Sequence, residues 1–184
     1  MIFRLLRPNP SIGTIQGLYG AIVAQARLPS FYLRYGVPDT VDGRFDLIVL
    51  HLFLVVERLG QGEGTEARLA QPLIEAFCRD LDDNMREMGV SDLAVPRRMR
   101  GYMEAYYGRT TAYRAALASG GTLACAQALA RNVFGDAAPA DGARLLADYM
   151  VRAAQALGAV AVASLAHGEL RFPDPETIPA MSHG

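Results

Sequence analysis

Arg44-Phe45-Asp46-Leu47-Ile48-Val49-Leu50-His51-Leu52-Phe53-Leu54-Val55-Val56-Glu57-Arg58-Leu59 decides the fold of this chain, because nine of the ten residues from Leu47 to Val56 are apolar. A helix of that composition is apolar all round, so it must be buried centrally or turn one side to an apolar partner. Ten residues rise roughly 15 Å, about half a bilayer core, which is too short for a membrane span. The β-branched Ile48, Val49, Val55 and Val56 would also suit a buried strand. Helix is favoured because Thr40-Val41-Asp42 offers capping oxygens and Glu57-Arg58-Leu59-Gly60 reads as a last turn with a glycine stop. The stretch is expected to be a central core helix, with a client-facing helix as the competing reading.

Helical periodicity continues on both sides. Ile12, Ile15, Leu18, Ile22 and Ala26 recur at three- and four-residue steps, which predicts an amphipathic helix from Ser11 to Arg27. Its Gly13, Gly17 and Gly20 each cost about 1 kcal/mol against Ala, which suggests close packing on another backbone. Leu28 to Thr40, with Pro29, Gly36 and Pro38, reads as a loop. From Pro72, the residues Leu73, Phe77, Leu81, Met85 and Met88 form a stripe that Gly89 ends. Pro96 suits a first helical turn, and Met99, Met103, Tyr106, Tyr113 and Leu117 carry the next stripe to about Ser119. A fifth helix is predicted from Leu123 to Phe134, capped by Thr122 and stopped by Gly135, and Asp141 can cap a sixth that presents Leu145, Tyr149, Ala153, Leu157 and Val160. The expectation is an all-α, single-domain bundle of about six helices over residues 1–172. A Pro-rich tail over 173–184, with Pro173, Pro175 and Pro179, is expected to be extended and mobile.

At 184 residues the chain can bury roughly 70% of its unfolded surface without a metal or disulfide staple. Its net charge of −1 argues against nucleic acid as the main partner. All 18 basic residues are Arg, which a GC-rich genome explains more simply than function does. No basic leader precedes a short apolar run and small-residue cleavage site, so a cytoplasmic protein is expected, with peripheral contact to an inner membrane left open. Cys78 and Cys125 stand far apart and read as small buried hydrophobes. His51, His167 and His183 lack metal-ligand spacing, and His51 reads as a satisfied core residue. No cofactor is implied.

The residues between the third and fourth predicted helices are the candidate partner-binding set. Arg97, Arg98 and Arg100 lie where a helix dipole disfavours cations by roughly 0.3 to 1 kcal/mol each. Compensation by Asp82, Asp83, Glu87 and Asp92 within the domain is the favoured reading, and a patch for lipid phosphate or an acidic partner is the alternative. Met85, Met88, Met99 and Met103 could fill core gaps or receive an apolar client. Tyr102, Tyr106, Tyr107 and Tyr113 divide the same way, since each ring has an apolar body and a polar end. With Arg86 and Arg109, these residues make up the candidate interface: Asp82, Asp83, Met85, Arg86, Met88, Arg97, Arg98, Met99, Arg100, Met103, Tyr106, Tyr107 and Arg109.

An ordered series of words carries a resemblance. Tyr35-Gly36-Val37-Pro38-Asp39-Thr40-Val41-Asp42-Gly43-Arg44-Phe45-Asp46-Leu47 leads into the apolar helix. Phe77-Cys78-Arg79-Asp80-Leu81-Asp82-Asp83-Asn84-Met85-Arg86-Glu87-Met88-Gly89-Val90 follows, then Leu93-Ala94-Val95-Pro96-Arg97-Arg98-Met99-Arg100, Ala105-Tyr106-Tyr107-Gly108-Arg109 and Ala112-Tyr113. Over roughly residues 10 to 170 the chain closely resembles the ubiquinol-cytochrome c chaperone family. The resemblance implies a non-catalytic assembly chaperone with newly made cytochrome b as its client. Mitochondrial members have a small partner subunit and associate with the organelle ribosome, but no residues here can be matched to those contacts. The alternative is a helical-bundle enzyme acting on a quinone or another apolar small molecule. A di-iron bundle would need paired Glu-x-x-His motifs, and neither His51 nor His167 has Glu three residues before it. A helical DNA-binding regulator is a third reading, without a strongly basic recognition helix to support it.

Overall fold

The structure, a computed structural model, describes residues 12–64, 66–135 and 141–179. In chain order its helices are α1 (Ile12–Ala26), α2 (Pro29–Leu33), α3 (Val41–Gly60), α4 (Ala70–Glu87), α5 (Val95–Ala118), α6 (Thr122–Leu129), α7 (Asp141–Ala159) and α8 (Val162–Ala166). Six of these are long and two are single turns, and the described residues contain no strand, so the all-α expectation holds.

The apolar run forms the middle of α3, and every residue from Leu47 to Val55 is buried. It is a core helix, packed against α1, α4, α5, α7 and α8. Thr40 caps it as expected, its Oγ1 accepting the Gly43 N–H at 3.1 Å. Gly43 is required for another reason: a Cβ there would lie 2.0 Å from the Pro38 carbonyl oxygen. The expected glycine stop is not used. α3 runs through Gly60, and the Gln61 N–H reaches back to the carbonyls of Arg58 and Leu59.

His51 is fully buried and satisfied at both ring nitrogens. Nδ1 lies 2.7 Å from the Leu47 carbonyl, and Nε2 lies 2.8 Å from the Tyr149 hydroxyl. A proton on Nδ1 donated to the carbonyl leaves Nε2 to accept from Tyr149. That hydroxyl in turn accepts from Gln25 Nε2 at 3.0 Å, and Gln25 also donates to the Pro173 carbonyl at 3.1 Å. Burial lowers the His51 pKa to about 4, so the ring is neutral at pH 7. Unfolding at acid pH lets it take up a proton, so its contribution to stability is present above about pH 6.5 and is lost as pH falls toward 4.

Three expectations are corrected. The predicted loop before α3 contains α2, started by Pro29, and its Phe31 packs edge-on to Tyr149 and His51. The Pro-rich tail forms a 3-10 turn over Pro175–Thr177 and is held as far as Ile178. Arg34 donates to the carbonyls of Pro175, Glu176 and Ile178, and the Tyr35 hydroxyl donates to Pro175 at 2.7 Å. Pro175 and Ile178 are buried, because their rings and methyls cover the α2 aromatic cluster. Residues 180–184 of the expected tail, with His183, lie outside the described residues. The fifth helix begins differently, with Gly121 rather than Thr122 at the cap, and turns π-helical over Ala130–Phe134 before Gly135 ends it at φ 84°. Within that turn Asn132 Nδ2 takes the Ala128 carbonyl at 2.9 Å, the acceptor a continuing α-helix would assign to the backbone of Asn132.

The glycines of α1 are also not what their spacing suggested. A Cβ at Gly17 or Gly20 would meet nothing within 4 Å, whereas one at Gly142 in α7 would lie 2.2 Å from the Tyr35 carbonyl oxygen. Two alanine substitutions should therefore act in opposite directions. Gly17→Ala is expected to raise stability by up to about 1 kcal/mol through helix propensity. Gly142→Ala is expected to lower it by about 1–3 kcal/mol through overpacking. Urea unfolding followed by circular dichroism reads both.

Candidate functional site

α5 opens on Val95 and Pro96, with no side-chain cap on its first N–H groups. Arg97, Arg98 and Arg100 stand exposed on its first turns. None of the three makes an ion pair with a described residue. The anticipated compensation does not reach them, since the acids turn to Arg86 instead. Its Nε lies 2.6 Å from Asp82 one helical turn away, and its other arm pairs with Asp92, which the positive-φ turn at Gly89 brings back over the end of α4. Asp83 and Glu87 are exposed and make no ion pair with a described residue.

Beside this end of α5 lies a trough in two parts. One part, of about 210 Å³, is lined by Val41, Phe45 and Ile48 from α3, Leu81 and Met85 from α4, Met88 just past its end, and Tyr102 from α5, together with Arg27, Arg44, Asp80 and Asn84. The other, of about 400 Å³, is lined by Asp42, Phe45, Arg98, Gly101, Tyr102, Ala105 and Arg109. Phe45 and Tyr102 border both, their ring centroids 5.0 Å apart. The trough lies beside the start of α3, where Val41 is half exposed among the charged Asp42 and Arg44.

A buried ion pair lies under the floor. Asp46 is 4% exposed within the apolar helix, and Arg109 Nε sits 2.7 Å from its Oδ1. The N–H does not point at the oxygen, so the contact is ionic rather than an aligned hydrogen bond. The guanidinium stacks over Phe45 at 5.4 Å and reaches the Asn132 carbonyl at 3.3 Å, which ties α3, α5 and the π turn together. Burial pushes the Asp46 carboxyl up to about 6, while Arg109 pulls it back. The Tyr113 hydroxyl is buried nearby without a partner, and burial raises its pKa.

The structure divides the sequence-predicted interface residues. Met85, Met88, Arg98 and Arg109 come together at the trough. Met85 is only 1% exposed and serves as wall, whereas Met88 is 54% exposed. Tyr106 is buried in the core against Phe77, while Tyr107 points outward. Met99 and Met103 are half-buried, and Met103 takes a 3.5 Å contact from Cys78. Asp82 and Arg86 pair with each other, and Asp83, Arg97 and Arg100 lie outside the trough lining. Sequence reasoning missed Arg27, Arg44, Val41, Phe45 and Asp46. The one signal that could have marked Asp46 was its charge beside an apolar run, which required a cation from elsewhere in the chain.

Among the described residues, no helix is long and apolar enough to cross a membrane, and no group of three or more His, Cys, Asp or Glu side chains could hold a metal ion. The model of the family described as ubiquinol-cytochrome C chaperone matches residues 33–172, well over half of the chain. The chain belongs to the ubiquinol-cytochrome c chaperone family. Among solved structures, this chaperone-family chain is similar to the "Crystal structure of the Cbp3 homolog from Brucella abortus", with 34% identity and a TM-score of 0.83 over 91% of this chain and 92% of that one. Comparison with curated protein sequences gives no match.

The buried pair beneath the trough makes a pH-dependent prediction. Arg109→Met leaves Asp46 buried without its cation and drives the carboxyl further above its unfolded value near 4. The loss, about 3 kcal/mol for a broken buried pair, is expected in full above that raised pKa and to fade as the pH falls toward 4, where both states hold the proton. Asp46→Leu combined with Arg109→Met is expected to recover most of it, because no charge is then stranded. Denaturant unfolding of the three proteins at pH 4.5 and 7.5 measures each part.

Proposed function

We propose that this protein is a non-catalytic chaperone that holds newly made cytochrome b during assembly of ubiquinol-cytochrome c reductase. Family membership supports the assembly role, and the trough at the start of α3 is the observation that carries the binding role. A chaperone for a membrane protein needs accessible apolar surface that it can share with an unfinished client and then release. The exposed Val41 and Met88 and the half-buried Tyr102 supply such a surface over the buried Phe45 and Ile48, and the flexible thioether of Met88 adapts to irregular side chains. Binding and release need no reaction, and no nucleophile, base and oxyanion donor converge in the trough to suggest one. A peripheral position at the inner membrane would keep the protein near its client.

Deleting the gene in the native host is expected to lower assembled complex III and cytochrome b several-fold while leaving other respiratory complexes near normal. Native gels and reduced-minus-oxidised spectra read the two quantities. Normal cytochrome b under respiratory growth would overturn the proposal. Affinity capture of the tagged protein from membranes is expected to recover cytochrome b.

A further inference from the structure

The trough is apolar inside and positively charged at its rim, and the charges at that rim are not equally committed. Arg109 is tied to Asp46, and Arg44 lies 2.8 Å from Asp39. Arg27 on one edge and Arg98 on the other make no ion pair with a described residue. Two carboxylates also line the trough, but each has its own stabiliser. Asp80 accepts the Tyr19 hydroxyl at 2.9 Å, and Asp42 lies in the first turn of α3, where the helix dipole favours it. Beyond Arg98, the exposed Arg97 and Arg100 add charge at the N-terminus of α5, itself the positive end of a helix dipole.

Resting on the reading of this trough as the client site, we infer that it selects an apolar peptide segment bordered by acidic residues, the apolar side chains entering between Phe45, Met88 and Tyr102 and the carboxylates meeting Arg27 and Arg98. Arginine suits that role because its fork engages both oxygens of a carboxylate, and a pair at a groove edge sets register as well as attraction. An anionic membrane surface is the less favoured occupant. The trough is concave, and Asp42 and Asp80 in it, with the exposed Asp83 and Glu87 on α4, would repel a uniformly negative plane. A peptide can place its few carboxylates at the arginines and avoid the acids.

The test uses the full chain and two labelled synthetic helical peptides of about 14 residues, roughly 20 Å long. They share an apolar stripe of Leu and Phe and differ only in flanks of Glu or of Lys. Fluorescence anisotropy is expected to give at least about tenfold tighter binding of the Glu-flanked peptide at low salt, with the preference shrinking as salt rises. Arg98→Glu touches no ion pair and is expected to erase that preference. Gly101→Trp is a second variant: a Cβ at Gly101 meets nothing within 4 Å, so the ring would occupy the trough without disturbing α5 and should weaken both peptides about tenfold. Equal affinity for the two peptides overturns the inference, as does parental binding by both variants. So does binding of phosphatidylglycerol vesicles, with loss in Arg98→Glu, when neither peptide binds. Capture of cytochrome b by the parent and by both variants alike overturns this inference while leaving the proposed function standing, whereas specific Glu-flanked binding without any cytochrome b capture supports the inference and removes the proposed client.

Discussion

The burial of α3 is the constraint from which the remaining architecture follows. A helix apolar on every side cannot rest on one neighbour, so α1, α4, α5 and α7 surround it and each needs only one apolar stripe of its own. This explains why the outer helices each bury only part of their residues while Leu47 to Val55 of α3 is buried on every side. It also explains why its two buried polar residues need special provision. His51 is kept neutral and hydrogen-bonded, whereas Asp46 is matched with an arginine from α5. Either side chain left unsatisfied would weaken the element on which all the others pack.

The same constraint places the candidate site. Encirclement is complete around the middle of α3 but opens at its first turns, where Val41 and Phe45 face a trough bounded by α4 and α5. Arg109 links this opening to the interior, stacked on a trough residue and paired with a core carboxylate. The floor is therefore stiff, while its edges carry Met88 and unpaired arginines that are free to adjust. A rigid base with adaptable edges suits a binder that must take up irregular apolar segments and let them go.

The C-terminal segment closes over the region of α2. Arg34 and Tyr35 hold its carbonyls, and Gln25 joins it to the Tyr149 and His51 relay that reaches the centre of α3. Proline has no N–H, so the carbonyls of a proline-rich stretch find few backbone donors. Those of Pro173, Pro175, Glu176 and Ile178 accept instead from side chains of α1 and of Arg34 and Tyr35 just after α2, so a segment of tail-like composition becomes part of the fold.

The sequence by itself determined the class and the order of the long helices, though not the short α2. Periodicity, the Thr40 cap, Pro96 in the first turn of α5 and Gly89 and Gly135 as stops are local signals, and local physics enforces them. It narrowed the apolar run to a central helix or one sharing a side with an apolar partner, and the surrounding helices decided for the centre. Tertiary structure alone decided whether Met85 and Tyr106 were wall or surface, because a stripe of apolar residues looks the same facing a core or a partner. It alone decided which acids Arg86 and Arg109 would take, because charge pairing depends on which helix ends meet in space. Composition marked residues 173–184 as mobile, yet Gln25 of α1 and Arg34 just after α2, far away in sequence, hold Pro173 and Pro175 in place. The trough was invisible for the same reason: it is the space left where three helices separate, and no residue in the chain encodes a space.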